Sequence, residues 1–65
     1  MNKEVEERYV SAIEDMVQAK KEENMDNFYY YAGIVKGIRS AMLVATDMSL
    51  DEYMRLVDME RNAWF

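Results

Sequence analysis

Asp26-Asn-Phe-Tyr-Tyr-Tyr-Ala-Gly-Ile-Val-Lys-Gly-Ile-Arg-Ser-Ala-Met-Leu-Val-Ala-Thr-Asp47 is the stretch whose reading decides the fold. Its apolar residues recur at intervals of three and four, the pattern of a helix that turns about 100° per residue. On that wheel Tyr30, Tyr31, Ile34, Val35, Ile38, Ala41, Met42 and Ala45 form one broad arc, widened at its edge by Phe28, Ala32 and Leu43. Lys36, Arg39 and Asp47 lie opposite, with Tyr29 and Ser40. One neighbouring helix cannot cover so wide an arc, so at least two helices, or a second chain, are expected to pack on it.

The same helix carries a ridge of small residues, Gly33, Gly37, Ala41 and Ala45, spaced four apart. A glycine inside a helix costs about 1 kcal/mol relative to alanine, so two of them call for a structural reason. Three are open: close approach of a helix from the same chain, close approach of a second copy, or backbone contact with a ligand. The G-x-x-x-G spacing has its best-known use in membrane helices. Lys36 and Arg39 interrupt this segment, so it does not read as a spanning helix.

Outward from this core, residues 3–22 predict a first amphipathic helix. Asn2 is placed to cap it, and Glu4, Glu6 and Glu7 suit the positive end of its dipole. Val5, Tyr9, Ala12, Ile13, Met16, Val17 and Ala19 make its buried face, with Val10 at the edge. A break around Glu23–Asp26 makes Asp26 the expected cap of a second helix over 27–46, with Met25 stapled on Tyr30. So short a connection makes the two helices antiparallel neighbours. Ser49-Leu-Asp-Glu52 matches the S-x-x-E capping box, with Met48 and Tyr53 as its staple, and starts a third helix over 50–62. Leu50, Tyr53, Met54, Val57 and Trp64 form its main stripe, and Leu56, Met59 and Ala63 a weaker one. The fold class is therefore all-α: a single domain over 1–65, an antiparallel helical hairpin plus a shorter third helix, completed by homo-oligomerisation.

Composition narrows the function. A chain of 65 residues buries only about 60% of its unfolded surface, and small scaffolds usually add a disulfide, a metal or a partner. Cysteine and histidine are both absent, which removes disulfides, thiolate sites, the usual zinc ligand and the usual general base. Self-association is what remains, as a homodimer or a higher oligomer. The net charge of −5 argues against direct nucleic-acid binding, which needs a basic footprint, and against anionic membrane surfaces. The opening Met-Asn-Lys-Glu-Val-Glu-Glu has no apolar run of a secretory signal, so a cytoplasmic location is the default. Seven Met and five Tyr favour a surface that meets something, or else an adaptable methionine-rich core.

No residue pattern points to catalysis. Ser11 and Ser40 lack an activating base in a recognisable context. The adjacent carboxylates Glu6-Glu7, Glu14-Asp15, Glu22-Glu23 and Asp51-Glu52 diverge by about 100° on a helix, so none forms a shared acid–base pair. No metal site and no cofactor are expected. The residues singled out for binding a ligand or partner are Tyr29, Lys36, Arg39 and Phe65. The first three make an aromatic-plus-cation patch that suits a carboxylate, a phosphate or a stacked base. Those singled out for an oligomer interface are Tyr30, Gly33, Gly37, Ala41, Leu56, Met59 and Trp64. The expected function is that of a non-enzymatic, acidic interaction module that binds another protein. Two alternatives stand beside it: an oligomer that sequesters a small anionic ligand such as a nucleotide signal, and an acidic nucleic-acid mimic displaying Glu7, Glu14 and Asp15. In size, acidity and Met/Tyr richness the chain resembles the small accessory proteins of bacteriophages and other mobile elements. That resemblance implies inhibition of a host or defence protein.

Overall fold

The structure, a computed structural model, describes residues 2–45 and 48–64. It holds three helices, α1 (Asn2–Lys21), α2 (Met25–Ala45) and α3 (Leu50–Trp64). At 1.5 Å per residue the two longer helices each span about 30 Å, which accounts for an elongated body of 36 × 17 × 16 Å. The first two pack closely as a hairpin and α3 lies across both. Contacts of α3 with Tyr9 and Lys20 on one side and Arg39 and Phe28 on the other set its direction. It runs alongside α1 and antiparallel to α2. The all-α hairpin with a shorter third helix is the architecture that the sequence predicts.

Local chemistry explains where each helix stops. At the end of α1, Glu23 adopts a left-handed conformation with φ of 58°. The Glu23 amide donates to the Lys20 carbonyl and the Asn24 amide to the Ala19 carbonyl, the paired bonds of a Schellman motif. Asn24 then serves as the cap of α2, its Oδ1 accepting from the Asn27 amide at 3.2 Å. The expected cap, Asp26, lies instead within the first turn, because Asn24 reaches the free amides two residues sooner. Met25 is thereby drawn into the helix, and both it and Tyr30 are exposed, so no staple joins them. At α3 the cap is where the sequence puts it: Ser49 Oγ accepts from the Glu52 amide at 3.2 Å. Met48 is buried and Tyr53 packs against the core. Asp47 and Phe65 lie outside the described residues, as do the side chains of Leu43 and Ala45.

The core is Tyr9, Ala12, Ile13, Met16 and Ala19 from α1, Phe28, Ala32, Val35 and Met42 from α2, Met48, and Leu56 and Ala63 from α3. Every core position expected on α1 faces inward. On α2 the buried centre is turned from the expected one by roughly 70° on the helical wheel. Phe28 and Ala32, expected at the edge, are buried, whereas Tyr30, Ile34 and Ala41 are exposed. On α3 the weaker stripe is the buried one, with Leu56 at 1% exposure, while Leu50 and Met54 face solvent. The cause of the α2 correction lies between the helices.

Candidate interaction surface

At the centre of the bundle, α3 places a carboxylate where its apolar stripe would continue. Glu60 follows Leu56 by one turn and precedes Ala63, and it is 4% exposed. Burying a carboxylate is costly unless it is paired and hydrogen-bonded, and Glu60 is both. Tyr9 Oη donates to Glu60 Oε1 at 2.7 Å. Arg39 Nη1 donates to Glu60 Oε2, also at 2.7 Å. One side chain from each helix thus meets in a single network. Burial, and after it the hydrogen bond to Glu60, raises the Tyr9 hydroxyl well above its ordinary pKa. Arg39 must lie on the α3 side of α2 to make its bond, which turns Phe28, Ala32 and Val35 inward and Tyr30 and Ile34 outward. That coupling accounts for the rotation of α2.

The solvent side of α2 is the consequence. On that side lie Tyr30, Gly33, Gly37, Ser40 and Val44, with Ile34 and Ala41 turned toward α1, all exposed. Val44 is 87% exposed and Tyr30 64%. A side chain added at Gly33 or Gly37 would meet no atom within 4 Å. The small-residue ridge is therefore not a packing surface within this chain, and the first of the three explanations for it falls. Between Asn27 and Ala45, Lys36 is the one charged residue exposed to solvent. On α1, by contrast, Glu4, Glu7, Arg8, Glu14, Asp15 and Lys21 crowd the outward face.

The residues proposed for ligand binding divide. Tyr29 is 61% exposed, its ring edge-on to Phe28 at 5.4 Å. Lys36 is exposed beside it on the same flank and, among the described residues, makes no ion pair. The Arg39 guanidinium is directed at Glu60, so it does not join Tyr29 and Lys36 in a free cationic patch. Among the interface candidates, Tyr30, Gly33, Gly37 and Ala41 share the outward face of α2. Leu56 is a core residue, covered within its own chain. Met59 lies on α3 and is 38% exposed. Trp64 packs its ring edge against Phe28 at 5.1 Å while 42% of it stays exposed, and its carbonyl accepts from Lys20 Nζ at 3.0 Å.

Sequence reasoning missed Glu60 and Tyr9 as a polar network and Ile34 and Val44 as surface. The signal for Glu60 was present: it stands four residues after Leu56 and three before Ala63, on the stripe itself. A groove between α2 and α3, lined by Arg39, Val57, Glu60, Arg61 and Trp64, was likewise not foreseen. Among the described residues no helix is long and apolar enough to cross a membrane. No family model matches the chain, and no curated protein or solved structure matches it.

Proposed function

We propose that this protein is a non-enzymatic interaction module that works by laying the outward face of α2 against a protein surface. The observation that carries the reading is the composition of that face: seven residues over four turns, all exposed and all glycine, alanine, aliphatic or tyrosine except Ser40. A solvated helix normally carries charge there, as α1 does. Contiguous exposed apolar surface marks contact sites, whereas scattered single residues do not. Tyrosine at one end of the face adds an aromatic anchor with a polar tip, the residue type enriched where proteins meet. The chain offers a surface and, lacking histidine and cysteine, few groups suited to transforming a substrate. Occlusion of a partner's surface is the mode of action that fits, in line with the inhibitory role implied by its likeness to phage accessory proteins. The partner is a protein and not an anionic metabolite, because Arg39 is occupied by Glu60 and Lys36 is left as the sole cation of the patch.

A photo-reactive residue placed at Val44, compared with one at Glu14 on α1, tests this in the cells that make the protein. Discrete protein adducts from position 44 and few from position 14 are expected. Adducts from position 14 with none from 44 would overturn the assignment of the working face.

A further inference from the structure

We infer that the partner presents a cationic amphipathic helix, which docks in the groove between α1 and α2 on the side of the hairpin that α3 leaves open. This rests on the reading of the outward face of α2 as the working surface and names the chemistry of what covers it. The groove is built from both helices. Tyr31, Ile34, Ile38 and Ala41 of α2 line it with Val5 and Ala12 of α1, and no residue of α3 takes part. Ile34 and Ala41 are exposed, and Tyr31 and Ile38 are half-buried, so an apolar floor reaches solvent along the groove. Through Ile34 and Ala41 that floor runs into the outward face of α2.

Shape selects a helix. Two antiparallel helices side by side leave a furrow between them, and a third helix seats in it by burying one apolar stripe. The hairpin already holds α3 in this way on its other side. The lining runs from Glu4 to Asp15 on α1 and from Tyr31 to Ala41 on α2, about 15 Å along either helix axis. About three turns of a partner helix match that length, with apolar anchors at i, i+3 or i+4, and i+7.

Charge selects a cation. The α1 wall of the groove carries Glu4, Glu7 and Asp15 against one cation, Arg8. Arg8 is paired with Glu4 at 3.2 Å, whereas Glu7 and Asp15 make no ion pair among the described residues. The α2 wall, formed by Tyr31, Ile34, Ile38 and Ala41, carries no charge. Lysine or arginine is therefore wanted along one flank of the partner helix, the flank toward α1. The closed side of the hairpin uses the same recipe: α3 inserts Leu56 into the core and sets Arg55 at 3.6 Å from Glu6 of α1. A second copy is a poor occupant, because each chain carries a net charge of −5 and like charges oppose its approach.

Two synthetic peptides of about fourteen residues, long enough for the three turns, test this by fluorescence anisotropy against the full chain. Both carry one leucine stripe, flanked by lysine in the first and by glutamate in the second. The lysine peptide should bind about tenfold tighter, by an advantage that shrinks as salt rises. Asp15→Lys and Glu14→Lys change the net charge equally, but Asp15 lines the groove and Glu14 faces the α3 side of α1. Asp15→Lys should weaken the lysine peptide about two- to tenfold, the scale of one or two exposed charge pairs. Glu14→Lys should leave it nearly unchanged, since screening at physiological salt acts within about 8 Å. Ile34→Gln keeps the charge and removes apolar floor, and should weaken binding about threefold or more while circular dichroism shows the helices intact. Equal losses from Asp15→Lys and Glu14→Lys, or no loss from Ile34→Gln, would overturn the groove as the docking site. Equal binding of the two peptides, or of neither, would overturn the cationic helix. The photo-reactive residue at position 44 then decides the fate of the face itself. Adducts with another protein would leave the interaction-module reading standing with a partner of different chemistry. Adducts between copies would make a second copy the occupant, and no adducts at all would bring both readings down.

Discussion

The outward faces of α1 and α2 differ more than any two surfaces of this molecule. Every residue of α1 whose side chain is described as exposed is polar or charged, and along it run pairs such as Arg8 with Glu4 at 3.2 Å. Such exposed pairs are worth a few tenths of a kcal/mol and mainly keep the face in water. From Phe28 onward, α2 exposes one charged residue, Lys36, among glycine, alanine, isoleucine, valine, tyrosine and one serine. Meanwhile a carboxylate, Glu60, is buried between the two helices. The contrast teaches that in this bundle the polar network, and not the amount of apolar surface, chooses which side of α2 is inside. The α2 arc is wide enough to be buried in more than one rotation. In the rotation that the structure adopts, Arg39 reaches Glu60.

The largest effect should come from removing that constraint. Glu60→Ala leaves the Tyr9 hydroxyl and the Arg39 guanidinium without their shared acceptor. Loss of one partner of a buried pair typically costs about 3–5 kcal/mol. Arg39 retains partial access to solvent, which moves the expectation to the lower end of that range. For a chain of this length total stability is roughly 3–10 kcal/mol, so denaturant unfolding should show a large fall in midpoint. An unchanged midpoint would mean that α2 is oriented by apolar packing alone.

Tyr9→Phe is the gentler form of the same cut and should cost about 1–3 kcal/mol, the range for a hydrogen bond to a charged group and for leaving a buried acceptor short of a donor. It also has a signature in pH. The folded state raises the Tyr9 pKa, so the unfolded chain loses this proton first. The associated stability is fully present below about pH 10, the ordinary tyrosine value. It is lost as pH rises beyond that, by up to about 1.4 kcal/mol per pH unit. Chemical denaturation between pH 9 and 11 should show this slope in the native chain and a shallower one in Y9F.

Smaller, and opposite in sign, is the effect of filling the bare face. Gly33→Ala and Gly37→Ala should each stabilise a dilute sample by up to about 1 kcal/mol, through helix propensity alone, since the added methyl meets nothing. The same changes should weaken any self-association seen in concentrated samples. A loss of stability at high dilution would mean that the ridge is packed within the chain after all. Glu23→Gly should gain a similar amount, because glycine relieves the left-handed strain at the α1 terminus, and it should do so at every concentration. That makes it the control that separates a backbone effect from an interface effect.

The smallest change expected is for Val44→Lys and Glu14→Ala, each within about 0.5 kcal/mol in dilute solution, as for other surface substitutions. The two should part company only when a contact surface is measured. Val44→Lys should weaken any association that covers the outward face of α2, and Glu14→Ala should leave it unaltered.

Much of this fold was legible because it is written in local chemistry. The buried face of α1 follows from the spacing of Tyr9, Ile13 and Met16, and the start of α3 from Ser49 and Glu52. Both signals act within a turn or two of helix, and short-range patterns suffice to read them. The start of α2 was misplaced because Asn24 and Asp26 are both competent caps. The choice between them depends on the left-handed turn at Glu23, a conformation that glutamate rarely adopts. The candidate surface was half legible. Gly33 and Gly37 announced themselves by their cost in a helix, and Ala41 and Tyr30 by their place beside them. Ile34 did not, because an isoleucine in an apolar run reads as core until something shows that the run is turned outward, and Val44 was assigned to neither face.

The amino-acid sequence by itself determined that the protein is three helices, where the third begins, that the first two form a hairpin, and that α2 carries more apolar surface than one helix can cover. Only the tertiary structure decided which part of that surface is used inside. The decision lies in Glu60, whose partners Arg39 and Tyr9 stand 21 and 51 residues away in the chain. A charge in the middle of an apolar stripe is tolerated or rejected according to what reaches it across space. No periodicity along a helix records that distance.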